Sequence, residues 1–167
     1  MNNQYQGNFK PAIFKTQSKH AINSLLSQPV CANRGIDMTT DNAKFQHGLA
    51  VRRQVMGEDF VDKALNSASD FTKPMQELAT ANAWGEVWVR DGISKQTRSL
   101  VTIATLAALK ASNEIKGHVR GALRNGCTVQ EIQEVLLHSA VYCGMPSGLE
   151  AFRAADEVIQ AWLAENP

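Results

Sequence analysis

The stretch from Ser94 to Cys143, SKQTRSLVTIATLAALKASNEIKGHVRGALRNGCTVQEIQEVLLHSAVYC, decides the fold. Its apolar residues recur at helical intervals, with neither an alternating strand run nor a hairpin dipeptide between them. Ser94 can cap a first helix that is apolar on nearly every side from Leu100 to Leu109. That helix is expected to be central and buried on more than one face. Asn113 can cap a second helix, and Gly126 stands where a helix end calls for a left-handed residue. Thr128 with Glu131 makes a capping-box pattern before a third helix, and Ser147 with Glu150 repeats it before AFRAADEVIQAWLA. Loops this short force antiparallel neighbours, so the region reads as a helical hairpin with a third helix stacked on it.

Upstream, KFQHGLAVRRQVMG and EDFVDKALNSA read as short amphipathic helices. DFTKPMQELATANAWGEVWVR starts a longer one with Pro74 in its first turn, and Gly92 breaks the chain after it. The fold class is therefore all-α. Residues 1–40 read as an N-terminal extension and 41–167 as the helical domain. Before Asp37 the only charged residues are Lys10, Lys15, Lys19 and Arg34, and Pro11 and Pro29 interrupt the segment. A short Ile22, Leu25, Leu26 stripe gives it a faint likeness to an organelle-targeting peptide. The plainer reading is a tail that docks on the domain or on a partner, and Met38 would serve equally well as a start.

Composition narrows the function classes. A chain of 167 residues that is 44% hydrophobic and 20% charged has room for one core and little more. The formal charge is +1, and after the basic extension the remainder holds 13 basic and 16 acidic residues, so no nucleic-acid footprint follows. Cys31, Cys127 and Cys143 are too far apart for a ligand pair, and their odd number argues against a disulfide framework. A reducing, cytoplasmic setting fits them. The most apolar run is ten residues long, too short to span a bilayer, so no membrane role is expected.

Within NEIKGHVRGALRNG, Glu114 and His118 are four apart and share a helix face, with Arg120 and Arg124 about 200° away. A carboxylate within reach favours the charged imidazole, which would make His118 a proton donor near neutral pH. The same spacing equally describes a surface ion pair. Glu86 lies between Trp84 and Trp88, bulky neighbours able to bury it and lift its pKa; otherwise it is an exposed acid near a helix end. Arg98 carries a bidentate fork that can clamp a carboxylate or join a neighbouring helix by a salt bridge. His138 and Tyr142, four apart on an apolar helix end, read as core or interface residues. Cys143 reads as a buried small hydrophobe.

The segments AWGEVW, KQTRSLV, GHVRGALRNG and EVLLHSAVYCGMPSG, in this order and spacing, resemble the carboxymuconolactone decarboxylase family of the alkylhydroperoxidase-D-like superfamily. The likeness covers roughly residues 45–159. It implies an all-helical fold assembled into a homo-oligomer, a trimer or hexamer. It also implies cofactor-free decarboxylation of 4-carboxymuconolactone to 3-oxoadipate enol-lactone in the protocatechuate branch of aromatic catabolism. His118 stands at the family's histidine, which tips His118, Glu114 and Glu86 towards catalytic roles and Arg98, Trp84 and Trp88 towards substrate binding. No metal or organic cofactor is implied, because in a lactone dicarboxylate the electrons left by carbon dioxide delocalise into a dienolate. Such a substrate needs donors for the oxyanion and a proton for carbon. Peroxidase relatives carry a Cys-x-x-Cys pair before the histidine; here those positions are Ala111 and Glu114, and the position of their upstream glutamate is Ser99. Thiol chemistry needs an attacking and a resolving sulfur, so that alternative is disfavoured. A non-catalytic helical scaffold of the same fold is the third reading.

Overall fold

The computed structural model describes residues 38–167. These form α1 (Met38–Met56), α2 (Glu58–Asn66), α3 (Lys73–Leu78), a π-helical segment (Ala79–Val87), α4 (Lys95–Ala108), α5 (Ser112–Arg124), α6 (Val129–Cys143) and α7 (Met145–Glu165). No strand occurs among the described residues. The first helix begins at Met38 and runs through the domain boundary expected at residue 41. Cys31 and the Ile22, Leu25, Leu26 stripe lie outside the described residues, as does the extension up to residue 37.

Two apolar clusters meet at α5. Ile103 and Ala107 of α4, Ile115, Val119 and Ala122 of α5, Ile132 and Leu136 of α6, and Ala151 and Ala155 of α7 make the larger one. Val55, Met56, Val61, Trp84 and Trp88 make the smaller one, drawn from α1, α2, the π segment and the residue that ends it. α5 presents Gly117 and Gly121, four apart, to Met56 and Val55 of α1. A side chain at either glycine would press on those residues, so their absence sets the close approach of the two helices.

Several expected ends are present. Ser94 Oγ accepts from Thr97 N–H, and Thr128 and Glu131 make the reciprocal capping box. Gly126 takes φ +87 just past α5. Others differ. α5 starts at Ser112 behind Ala111, whose side chain makes no cap, so Asn113 sits inside the helix. α7 starts at Met145 behind Gly144, two residues before Ser147. Ser147 is buried and donates its hydroxyl to the Ala107 carbonyl of α4, a tertiary contact in place of the capping box.

α4 also departs from its expected setting. It buries a single stripe of Ser99, Ile103 and Ala107, while Val101 is 55% and Leu109 70% exposed. The described helices of one chain suffice to cover only one of its faces.

Candidate active site

The antiparallel pairing of α1 with the α3–π segment builds the site from the backbone up. Gly48 of α1 faces the Thr80 carbonyl and the Gly85 backbone, and Gly85 faces the Lys44 carbonyl; a Cβ at either glycine would collide with those atoms. The two backbones therefore touch. This contact lets Arg52, one turn further along α1, reach across: its Nη1 donates to Thr80 Oγ1 at 2.9 Å and its Nη2 to Gln76 Oε1 at 2.9 Å. Arg52 is only 9% exposed and Thr80 is fully buried.

The π segment sets the aromatic wall. Trp88 N–H bonds to the carbonyl of Ala83, five residues back, so the turn is wider than an α-turn. Trp84 and Trp88 both point inward and stack with centroids 4.6 Å apart and planes 25° apart. On α5, the His118 ring lies parallel to Trp84 with centroids 6.2 Å apart. Trp88, Trp84 and His118 thus form a column, half-buried at the His118 end. Behind it, Trp88 lines a groove of about 400 Å3 shared with His47, Val51, Asp91 and Lys95.

Electrostatics at His118 run against the expectation of a charged imidazole. Burial first, and the Arg52 guanidinium second, hold its pKa down at about 4, with Glu114 only partly opposing them. The physical reason is that losing solvent and facing a fixed cation both penalise imidazolium, whereas Glu114 is exposed and acts through water. With its pKa held at about 4, His118 is neutral at neutral pH. Arg52 is itself held below its ordinary range by burial.

The structure brings His118, Trp84 and Trp88 together, with Glu114 acting on the imidazole from the same helix. Glu86 goes elsewhere. The tryptophans on either side of it turn to the core, so Glu86 faces outward with its side chain 46% exposed and pairs with Lys44. The expected burial between the two indoles is not found, because residues two apart on a helical segment point to different faces. Arg98 donates through Nη2 to the Arg90 carbonyl at 2.8 Å, tying the loop before α4, and its buried Nε has no hydrogen-bond partner. Arg120 pairs with Glu165 and Arg124 donates to the Met56 carbonyl, away from the imidazole as the helical phase implies.

Arg52 was not singled out from the sequence. In AVRRQVMG two arginines stand side by side, and only the fold separates them: Arg53 pairs with Asp62, while Arg52 turns inward. Ser99, at the position of the superfamily's glutamate, is buried and accepts from Asn125 Nδ2 at 2.9 Å, tying α4 to the end of α5. Cys127 is buried, and burial, with Glu131 adding to it, pushes its thiol pKa up. Cys143 is exposed rather than buried, because it falls at the open end of α6 beside Gly144. His138 and Tyr142 are likewise exposed on this chain, their rings 4.7 Å apart.

Comparison with known proteins gives consistent results. The model of the carboxymuconolactone decarboxylase family matches residues 73–157. A nitrosuccinic acid decarboxylase of Metarhizium robertsii is 46% identical over 115 residues, 69% of this chain and 80% of that one. A 4-carboxymuconolactone decarboxylase of Acinetobacter baylyi is 41% identical over 120 residues, 72% of this chain and 90% of that one.

Proposed function

The chain belongs to the carboxymuconolactone decarboxylase family, and from that premise we propose that this carboxy-lyase removes carbon dioxide, without a cofactor, from a small dicarboxylate that carries its own electron sink. 4-Carboxymuconolactone is the first substrate, with 3-oxoadipate enol-lactone as product. The observation that carries the reading is the His118 column: a half-buried imidazole stacked on Trp84 and under the charge of the buried Arg52 guanidinium.

The chemistry asks little else of the protein. The carbon–carbon bond to the departing carboxylate breaks, and its electron pair moves through the ring double bond onto the lactone carbonyl oxygen. A cation nearby stabilises that developing charge in a site poor in water. Carbon dioxide departs with that cleavage, leaving a dienolate, and a proton then joins the carbon next to the carbonyl to give the enol-lactone. His118 is the residue proposed to pass it, with Glu114 modulating the imidazole. Trp84 and Trp88 are proposed as the apolar wall that keeps the flat ring in place and water away. Arg98 is proposed to serve through the loop it ties, since one arm of its fork is committed to Arg90.

A second substrate is favoured by the 46% identical relative that acts on nitrosuccinic acid. In that molecule a nitro group on the reacting carbon takes the electron pair, so the same protein groups suffice. Purified protein offered 4-carboxymuconolactone and 2-nitrosuccinate separately should release carbon dioxide from at least one without added metal or coenzyme. Release from neither, by protein with its normal helical signal, would refute the proposal.

A further inference from the structure

A cation buried to nine-tenths ordinarily faces an anion, because desolvation of a lone charge is costly. Arg52 is such a cation, and its acceptors are the neutral oxygens of Thr80 and Gln76. The ion pairs among the described residues take Lys44 to Glu86, Arg53 to Asp62, Lys116 to Glu157 and Arg120 to Glu165, and none includes Arg52. Each terminal nitrogen of its fork donates once, so of the five N–H donors of a guanidinium two are used by the protein. His118 is kept from protonating by its own burial first and by that same charge second. Both groups would gain from one anion within reach of the two.

The geometry points to Arg52 as the residue that binds a substrate carboxylate, with the bound anion bringing a proton onto His118. This inference rests on the proposed decarboxylation and deepens it, since it explains how an imidazole held neutral by the protein becomes a proton donor once substrate binds. A carboxylate on the guanidinium offsets the positive field at the imidazole and adds an opposite charge of its own, and both effects favour imidazolium. The charged groups acting on the imidazole are Arg52 from α1 and Glu114 from its own helix. Of the other charges on the packed elements, Arg53 pairs with Asp62, Lys95 donates to Gln54, Arg98 to the Arg90 carbonyl and Arg124 to the Met56 carbonyl, while Glu58, Asp59 and Lys63 of α2 and Glu77 of α3 also stand on those elements. Thr80 and Gln76 act as positioning residues that hold the fork in register with the ring.

The test uses succinate, a dicarboxylate that cannot be decarboxylated by this route, and the full-length protein with 15N-labelled histidine. The His118 midpoint is followed by NMR against pH with and without saturating succinate. In the wild type succinate should raise the midpoint by about one unit or more. Arg52→Gln should bind succinate on the order of 10- to 100-fold more weakly, as expected for loss of a charged hydrogen bond. Its succinate-free midpoint should lie above that of the wild type. Arg52→Lys, which keeps the charge without the fork, should bind more weakly than wild type yet retain the succinate response at His118. An unchanged wild-type midpoint, or Arg52→Gln binding as tightly as wild type, overturns the inference. Should the Gln variant fail to fold, a Lys variant that binds as tightly as wild type does the same. None of these readings needs turnover. A protein that decarboxylates nothing but shows the succinate response loses the proposed function and keeps the anion site; the reverse result loses only Arg52.

Discussion

His118 carries a cost that stability measurements can read. Its pKa of about 4 in the fold lies below the value near 6.5 of a histidine in an unfolded chain. Above pH 6.5 the ring is neutral in both states and contributes no difference. Between 6.5 and 4 the unfolded chain takes up a proton that the folded one refuses, so stability falls as the pH falls, by at most about 3 kcal/mol. His118→Gln removes that term, and its melting temperature should decline less than the wild type's between pH 6.5 and 4. Parallel declines would mean that the imidazole is not held neutral. The family motif made His118 legible in the sequence, but its charge was not. Helical spacing shows only neighbours on the same helix, here Glu114, which raises the pKa. The stronger opposing group, Arg52, arrives from a distant helix and becomes visible only when α1 packs on the π segment.

At the scale of the element, the crossing of α1 and the π segment depends on two missing side chains. Gly48→Ala would drive a methyl group into the Thr80 carbonyl, backbone that has no rotamer to yield. The variant should lose roughly 1–3 kcal/mol or more of stability, the usual range for overpacking, read as a lower urea midpoint. A midpoint equal to wild type would show that the helices part without cost. The element map itself was largely readable, because Ser94, the Thr128–Glu131 box and Gly126 act locally, through hydrogen bonds or φ values that the adjoining residues decide. Ser147 misled because its hydroxyl found Ala107 on another helix. The π segment left no mark in ELATANAWGEVW, since one extra residue per turn changes neither composition nor, over nine residues, the apolar pattern in a recognisable way.

For the whole molecule, the open face of α4 and α6 raises the question of a second subunit. Val101 is 55% exposed, Val141 69% and Tyr142 77%, and a groove of about 600 Å3 runs between the two helices past Leu100, Leu137 and His138. Apolar side chains clustered in this way usually meet a partner surface. A homo-oligomer closed through this face is expected, with Val141→Glu shifting it towards monomer in light scattering. A wild type that stays monomeric at micromolar concentration would leave the face unexplained. The periodicity of α4 announced more apolar surface than a single chain covers, but it could not say on which side the excess falls. The central claim, that decarboxylation passes its proton through His118, is tested most directly by turnover and melting temperature measured together on wild type and His118→Gln with 4-carboxymuconolactone and with 2-nitrosuccinate. Loss of a general acid–base group predicts turnover of the active substrate lower by about 10²- to 10⁴-fold, with melting little changed at pH 7.5. A His118→Gln protein that melts normally and decarboxylates at the wild-type rate would contradict the account.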